Sequence, residues 1–131
     1  MTEATDTLRR LGEGKYLLVT TFRRSGKPVP TPVWAARDGD ALTVWTGAGS
    51  GKVKRIRNRA DVLLAPCDVR GRATGDAVPG RAKILDAGGT RRCRTLIARK
   101  YGLIGRLTLA GSRLRRGADG TVGLRITLTD A

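Results

Sequence analysis

Several residue types that often carry protein chemistry are rare or missing in this sequence. It has no histidine, two cysteines and five aromatic residues, namely two Trp, two Tyr and one Phe. Without histidine, a His-based triad, histidine metal ligands and the usual general base at neutral pH are excluded. Cys67 and Cys93 are too few and too far apart for a CxxC metal clamp or a disulfide framework, so we expect no metal site. Chemistry would come from Tyr16, Tyr101, a carboxylate, a lysine or a bound cofactor.

Acidic residues are also scarce. The 131 residues include 26 Lys and Arg but only 11 Asp and Glu, which gives a net charge of +15. No acidic residue occurs between Asp86 and Asp119, where arginines accumulate. This excess indicates an anionic partner, and a basic nucleic-acid-binding module is one interpretation. The few aromatic residues, the lack of zinc-ligand spacing and the lack of a clear helix-turn-helix pattern argue against specific nucleic-acid binding.

Long apolar runs are absent as well. No run approaches the roughly 18 apolar residues of a membrane-spanning helix, and the opening residues lack the apolar segment of a secretion signal. The length suits one domain covering residues 1–131. We therefore expect a single-domain cytoplasmic protein with no membrane span.

Residue patterns predict a mainly β fold of the α+β type. Helices are predicted at 4–14, 51–61 and 90–102, with a weaker helical continuation over 103–117. Six strands are predicted: one at 15–23, two within 29–47, and one each at 61–71, 77–86 and 121–130. Short turns between these strands favour a small antiparallel barrel.

The dipeptide Asp38-Gly39 predicts a type I′ hairpin turn within 29–47. The resulting register pairs Ala35 with Leu42, Val33 with Val44 and Thr31 with Thr46. Pro30 and Pro32 then lie where their missing amides would point away from the partner strand, so this edge offers carbonyl oxygens without donors. Such an edge suits a planar ligand, or it only prevents aggregation.

The stretch TGAGSGKVKRIRNR, residues 46–59, joins a glycine-rich turn to a basic segment. A Walker P-loop needs four residues between its first Gly and the Gly-Lys pair, followed by Ser or Thr. Here three residues separate Gly47 from Gly51, and Val53 follows Lys52, so the strict motif fails. Backbone amides, the Ser50 hydroxyl and the Lys52 ammonium still suit an anion.

Residues 31–75 resemble the flavin-reductase-like split-barrel superfamily that includes pyridoxamine 5′-phosphate oxidase. More closely, they resemble the actinobacterial PPOX-class F420-dependent oxidoreductases. The segments LAPCDVRGRATG and KYG lie where that branch has similar segments, so the resemblance covers about residues 15–102.

The resemblance implies a six-stranded antiparallel split β-barrel that forms a homodimer, with the cofactor at the subunit interface. It implies an oxidoreductase that transfers a hydride between bound coenzyme F420, a deazaflavin, and a conjugated small-molecule substrate. An FMN-binding protein and a cofactor-storing or haem-handling protein on the same barrel are alternatives. The cofactor-binding residues it implies, together with basic candidates from the same region, are Pro30, Thr31, Pro32, Val33, Trp45, Thr46, Ser50, Gly51, Lys52, Lys54, Arg57 and Arg72.

Two positions depart from the pattern of the flavin-binding relatives. Gly51 stands where an arginine is expected for the phosphate of FMN, and Pro30 stands where the oxidase has arginine. These losses favour F420, whose phosphodiester and carboxylate tail suit a distributed basic groove. No catalytic residue is predicted, since a proton can come from solvent or from Tyr101.

Overall fold

The computed structural model describes residues 3–116 and 120–129. The elements in these ranges are α1 (Glu3–Glu13), β1 (Tyr16–Phe22), β2 (Pro28–Val33), β3 (Ala35–Asp38), β4 (Ala41–Gly47), α2 (Gly51–Asn58), β5 (Asp61–Cys67), β6 (Val78–Ile84), α3 (Ala87–Arg116) and β7 (Thr121–Leu128). The predicted mainly β fold is confirmed, with seven strands in place of six. The predicted end of the last helix at residue 117 and the predicted end of the last strand at residue 130 lie outside the described residues.

The strands form one antiparallel sheet in the order β2-β1-β5-β6-β7-β4-β3. Strands β2 and β3 therefore lie at opposite edges of the sheet, although only Trp34 separates them in the chain. A flat sheet cannot satisfy both conditions. The sheet must curl until its two edges meet at Trp34, and this closes it into a barrel.

The predicted hairpin over 29–47 is wrong in two respects. Its first strand is broken at Trp34, so Thr31 lies opposite Val19 of β1 and not opposite Thr46. In the part that does pair with β4, Ala35 lies opposite Val44 and not opposite Leu42. The predicted pairing of Val33 with Val44 is likewise absent, because Val33 pairs with Leu17 of β1.

The turn between β3 and β4 explains the shift in register. Asp38 pairs with Ala41, so Gly39 and Asp40 form the turn. Gly39 has φ of 62°, and no described residue other than glycine has positive φ. A type I′ turn needs positive φ at both central residues, so this turn is not type I′. The turn is displaced by one residue from the predicted position.

The prolines keep their predicted place on an open edge, although their partner strand is β1. Pro32 pairs with Leu18 and Pro30 with Thr20. Proline has no amide to donate, so the ladder to β1 is carried by the alternate residues of β2. The carbonyls of Pro30 and Pro32 then point outward from the edge of the sheet, where no amide competes with them.

Apolar side chains from every strand fill the barrel. Leu8 and Leu11 of α1 and Ile56 of α2 join this core from the two helices. The buried strand residues of the core are Leu17, Val19, Val33, Ala35, Leu42, Val44, Val62, Leu64, Ala82, Leu124 and Ile126. As predicted, Val53 and Ile56 are the buried residues of α2.

Helix α3 packs on the outer face of the sheet through a second apolar cluster. Cys93 and Ile97 are fully buried there, as predicted. A Cβ atom at Gly123 of β7 would lie 2.8 Å from the Cβ of Cys93, so the helix approaches the sheet closely at a residue without a side chain. Burial raises the pKa of the Cys93 thiol to about 11. The helix bends at Gly102, where φ is 64°.

Lys100 and Tyr101 of α3 stabilise the corner at Trp34, where β2 ends and β3 begins. The Lys100 ammonium donates to the carbonyls of Gly12 and Gly14, at 2.7 and 2.6 Å, and to that of Ala35. The Tyr101 ring stacks on Trp34 with centroids 4.4 Å apart. Its hydroxyl accepts from the Ala35 amide at 3.2 Å and donates to the carbonyl of Lys15 at 2.7 Å. These contacts join the end of α1 to the point where the sheet edges meet.

None of the helices in the described ranges combines the length and apolar character needed to cross a membrane.

We expect Lys100→Met to lower the free energy of unfolding by about 2–4 kcal/mol, because three carbonyls lose a charged donor. Burial lowers the pKa of Lys100 to about 8, so the side chain is still an ammonium at pH 7. Urea unfolding at pH 7 measures the effect, with Arg99→Met on the exposed side of α3 as the control. Equal stabilities of the two variants would contradict the assigned role of Lys100.

Candidate cofactor site

Helix α2 begins with a well-formed cap. Ser50 has extended backbone, and its hydroxyl accepts a hydrogen bond from the Val53 amide at 3.3 Å. The amides of Gly51 and Lys52 have no acceptor among the described residues. Free amides at a helix N-terminus favour an anion, so the predicted Ser50–Lys52 segment has the donors that such a site needs.

Arg55 reaches back over this first turn. Its Nε donates to the hydroxyl of Thr21 at 2.7 Å, and Thr21 is fully buried in β1. A Cβ atom at Gly51 would lie 2.7 Å from Nη1 of Arg55, so a side chain at this position would require the guanidinium to shift. The guanidinium therefore occupies the space beside residue 51. Residue 51 is a glycine and not the expected arginine, but the guanidinium of Arg55 lies against it.

The two cations of this turn lack negative partners. Within residues 3–116 and 120–129, no carboxylate forms an ion pair with Lys52 or Arg55. Partial burial lowers the pKa of Lys52, and the neighbouring charge of Arg55 lowers it further. Two adjacent unpaired cations that are partly removed from water are a functional-site signature, because a bound anion would relieve both costs.

Lys54 and Arg57 lie on the exposed face of α2. Neither makes an ion pair among the described residues. They extend the positive charge of the helix outward from Lys52, in the manner of a solvated basic face.

The proline edge begins close to this helix. Thr21, the partner of Arg55, pairs with Val29 of β2, and Pro30 and Thr31 follow Val29 along the strand. Pro30 and Pro32 are exposed, Thr31 is half-buried and Val33 is buried. The predicted ring-binding residues and the predicted phosphate end are therefore connected through β1.

Trp45 and Thr46 occupy opposite faces of β4, as neighbouring strand residues must. Thr46 is buried and, with Leu42 and Val44, faces the barrel interior. Trp45 packs in the outer cluster beneath α3, and its buried Nε1 has no hydrogen-bond partner among the described residues. The structure thus separates two side chains that the resemblance assigns to one site.

Arg72 lies at the other end of β2. Its amide and its Nε both donate to the Asp68 carboxylate at 2.9 Å, and the bond from the amide, followed by that from Nε, lowers the pKa of Asp68. The adjacent Gly71 packs against Pro32, three residues along β2 from Val29. This separation is about 10 Å along the strand. Arg72 is therefore paired within its own loop and does not join the cations of α2.

Two cavities flank the loop before α2. One of about 530 Å³ is lined by Gly47, Gly49, Ser50 and Gly120, next to the helix N-terminus. The other, of about 540 Å³, lies at the start of α3 and contains none of the predicted site residues. The first cavity leaves open space beside the predicted phosphate end.

Tyr101 is not placed to supply a proton to a substrate. Its hydroxyl donates to the Lys15 carbonyl, and burial raises its pKa. The proton is therefore used inside the fold, which disfavours the sequence-based suggestion that Tyr101 is a donor.

No family model matches the chain, and no curated protein matches it. Solved structures do match. A conserved hypothetical protein from Mycobacterium tuberculosis, Rv2991, superposes with a TM-score of 0.73 at 19% identity, covering 99% of this chain and 82% of that one. The fold is a split β-barrel.

Two further structures share this fold. A putative pyridoxamine 5′-phosphate oxidase from Listeria innocua has a TM-score of 0.68 at 13% identity, covering 98% of this chain and 95% of that one. An F420 reductase has a TM-score of 0.63 at 18% identity, covering 93% of each chain. At these identities the comparisons support the predicted fold and leave the cofactor open.

Thr21 and Arg55 were missed by sequence reasoning. Arg55 looked like one of several solvated cations, and Thr21 lies in a strand 34 residues away. The usable signal was the spacing of Gly51 and Arg55, because residues four apart on a helix are neighbours.

We expect Lys52→Met to leave the free energy of unfolding unchanged or to raise it by up to about 1 kcal/mol, because the variant removes a poorly solvated charge beside Arg55. Urea unfolding at low salt in a buffer free of phosphate and sulfate measures this. The exposed control Lys54→Met should stay within about 0.5 kcal/mol of wild type. A loss above about 1 kcal/mol for Lys52→Met would mean that the fold depends on this ammonium.

Proposed function

We propose that this protein is an oxidoreductase that binds coenzyme F420 and transfers a hydride between it and a conjugated small-molecule substrate. The observation that carries the proposal is the group of donors at the start of α2. No carboxylate in the described part of the chain forms an ion pair with this group, and it lies beside an open strand edge of acceptors. The fold similarity to an F420 reductase and to a putative pyridoxamine 5′-phosphate oxidase supports a flavin or deazaflavin cofactor.

The chemistry of the residues fits such a cofactor. The Ser50–Lys52 segment and Arg55 offer amide, ammonium and guanidinium donors, which suit a phosphate group. The outward carbonyls of Pro30 and Pro32 offer acceptors for a ring N–H. Lys54 and Arg57 extend the positive surface, which suits the further negative groups of a long anion.

The bound deazaflavin would supply the hydride chemistry, and the protein would supply binding, orientation and exclusion of water. Lys52 and Arg55 would fix the phosphate end, and β2 would fix the plane of the ring. No side chain is assigned as an acid or base. The substrate proton would come from solvent, because the Tyr101 hydroxyl is already engaged.

FMN is the second candidate. Arg55 lies beside Gly51, so the glycine alone no longer argues against a compact phosphate monoester. The preference for F420 now depends on the exposed cations Lys54 and Arg57 and on proline at position 30.

We also propose a cytoplasmic homodimer of this single-domain chain, with the cofactor at the subunit interface. The exposed edge of β2 leaves one side of the ring position uncovered within one chain. A second copy would cover that side and exclude water from it.

Fluorescence titration of the purified protein with F420 and with FMN tests the proposal. We expect F420 to bind with micromolar or lower Kd, and Lys52→Ala to weaken binding by about 1–3 kcal/mol through loss of a charge-assisted bond. The exposed Lys83→Ala on β6 is the control for a general loss of charge. Binding of neither cofactor, together with tight and salt-sensitive binding of DNA, would refute the oxidoreductase proposal and favour the nucleic-acid module.

The affinity for F420 should fall at alkaline pH. The ammonium form of Lys52 binds the anion, and its pKa in the free protein is lowered from 10.5 by burial and by Arg55. Affinity should therefore be constant near pH 7 and decline as pH rises, starting below the pKa of an ordinary lysine. Titrations from pH 7 upward on wild type and Lys52→Arg measure this, because arginine stays charged. Parallel profiles for the two proteins would exclude Lys52 as the titrating group.

A further inference from the structure

In the first turn of α2, the side chain of one residue occupies the space that another residue leaves empty. Gly51 has no side chain, and the space beside it is filled by Nη1 of Arg55, 2.7 Å from where a Cβ would lie. The Cζ of Arg55 is 3.5 Å from the same point. The long side chain of Arg55 therefore extends toward the N-terminus of the helix, and its guanidinium lies beside a residue one turn earlier.

This position of the guanidinium is fixed from the barrel side. Nε of Arg55 donates to Thr21 Oγ1, which belongs to a fully buried residue of β1. A guanidinium has five N–H donors, so the Nη groups keep four donors after the bond to Thr21 is made. None of these four has an acceptor among the described residues. They lie beside Gly51, whose amide also lacks an acceptor there, as does that of Lys52.

We infer that Arg55 is the main phosphate-binding cation of this site, that Thr21 positions it, and that glycine at position 51 leaves the guanidinium in this place, because a side chain there would shift it. The inference rests on the proposed function for the identity of the ligand, a cofactor that carries a phosphate group. The arginine that the resemblance places at position 51 is thus supplied by residue 55, one helical turn later.

The arrangement should make Arg55 more effective than an arginine at position 51. An arginine side chain on the first residue of a helix is free to rotate, whereas the bond to Thr21 holds Arg55 before the ligand arrives. Pre-organisation reduces the entropy lost on binding. The planar fork of the Nη groups can also bind two oxygens of one phosphate, which an ammonium cannot do.

The test uses four variants and two kinds of ligand. Arg55→Gln removes the charge, Arg55→Lys keeps the charge without the fork, Thr21→Val removes the positioning hydroxyl, and Gly51→Ala fills the space. Arg99→Gln on the exposed face of α3 is the control with the same loss of charge. Fluorescence titration gives Kd for F420 and FMN, and the rise in Tm with inorganic phosphate gives a readout independent of either cofactor.

We expect Arg55→Gln to raise Kd about 10- to 100-fold for the cofactor that wild type binds, and Arg55→Lys and Thr21→Val to raise it several-fold. In the Arg55→Gln background, Thr21→Val and Gly51→Ala should have no further effect, since both act through the guanidinium. Arg99→Gln should leave Kd within about twofold of wild type.

Gly51→Ala separates a binding role from a structural one. Alanine is the better helix former, so this variant should unfold at the same or higher urea concentration than wild type. Its affinity should nevertheless fall several-fold, because the new Cβ displaces the guanidinium. The double variant Gly51→Arg/Arg55→Ala, which returns the cation to position 51, should bind better than Arg55→Ala alone.

Two results would overturn the inference. If wild type binds a cofactor and Arg55→Gln binds it as well as Arg99→Gln does, Arg55 is not the phosphate-binding cation, and the proposed function stands. If wild type binds neither cofactor, the proposed function fails. The rise in Tm with inorganic phosphate then decides whether Arg55 binds an anion. A Tm shift with phosphate that is lost in Arg55→Gln then supports the anion site, and an equal shift in both proteins refutes it.

Discussion

The contacts that Lys100 and Tyr101 make around Trp34 join the end of α1 to the corner between β2 and β3. One ammonium satisfies three carbonyls, and one phenol bonds the backbone of Ala35 and of Lys15. Because β2 ends and β3 begins there, these bonds stabilise the point at which the proline edge ends. Helix α3 therefore stabilises one end of the proline edge, although it contributes no residue to the candidate site.

The cations of this barrel differ in whether a carboxylate pairs with them. Arg92 and Arg125 both pair with Asp38 at the tip of the β3–β4 hairpin, and Arg92 holds the pKa of that carboxyl below its usual range. Lys52 and Arg55 have no such partner among the described residues. These two cations are also partly buried beside each other, which is where an anion is proposed to bind.

Local patterns in the sequence predicted most of the helices and strands, but they did not predict the corner at Trp34. Alternation of apolar residues predicted the strands, and the i, i+3 spacing of Val53 and Ile56 predicted the buried face of α2. The break at Trp34 could not be predicted in this way, because it is enforced by Tyr101, which is distant in the chain. Without that contact, residues 29–37 look like one continuous strand, and the register was derived from the wrong partner.

The same limit applies to the site. The Ser50–Lys52 segment was identified from the chemistry of adjacent residues. Arg55 bonds to Thr21, a residue on another element, and within α2 only its spacing of four residues from Gly51 distinguishes it from the solvated Arg57. Gly51 was interpreted as a missing cation because a sequence shows which side chain is absent but not which one fills its space.

The packing of α3 against Gly123 has a consequence for redox chemistry. Burial raises the pKa of Cys93, and burial together with Asp68 raises that of Cys67, the other cysteine of the chain. The thiolate is the form that reacts with oxidants and disulfides. Both sulfurs therefore stay in the thiol form at neutral pH, and that of Cys93 is also buried within its own chain.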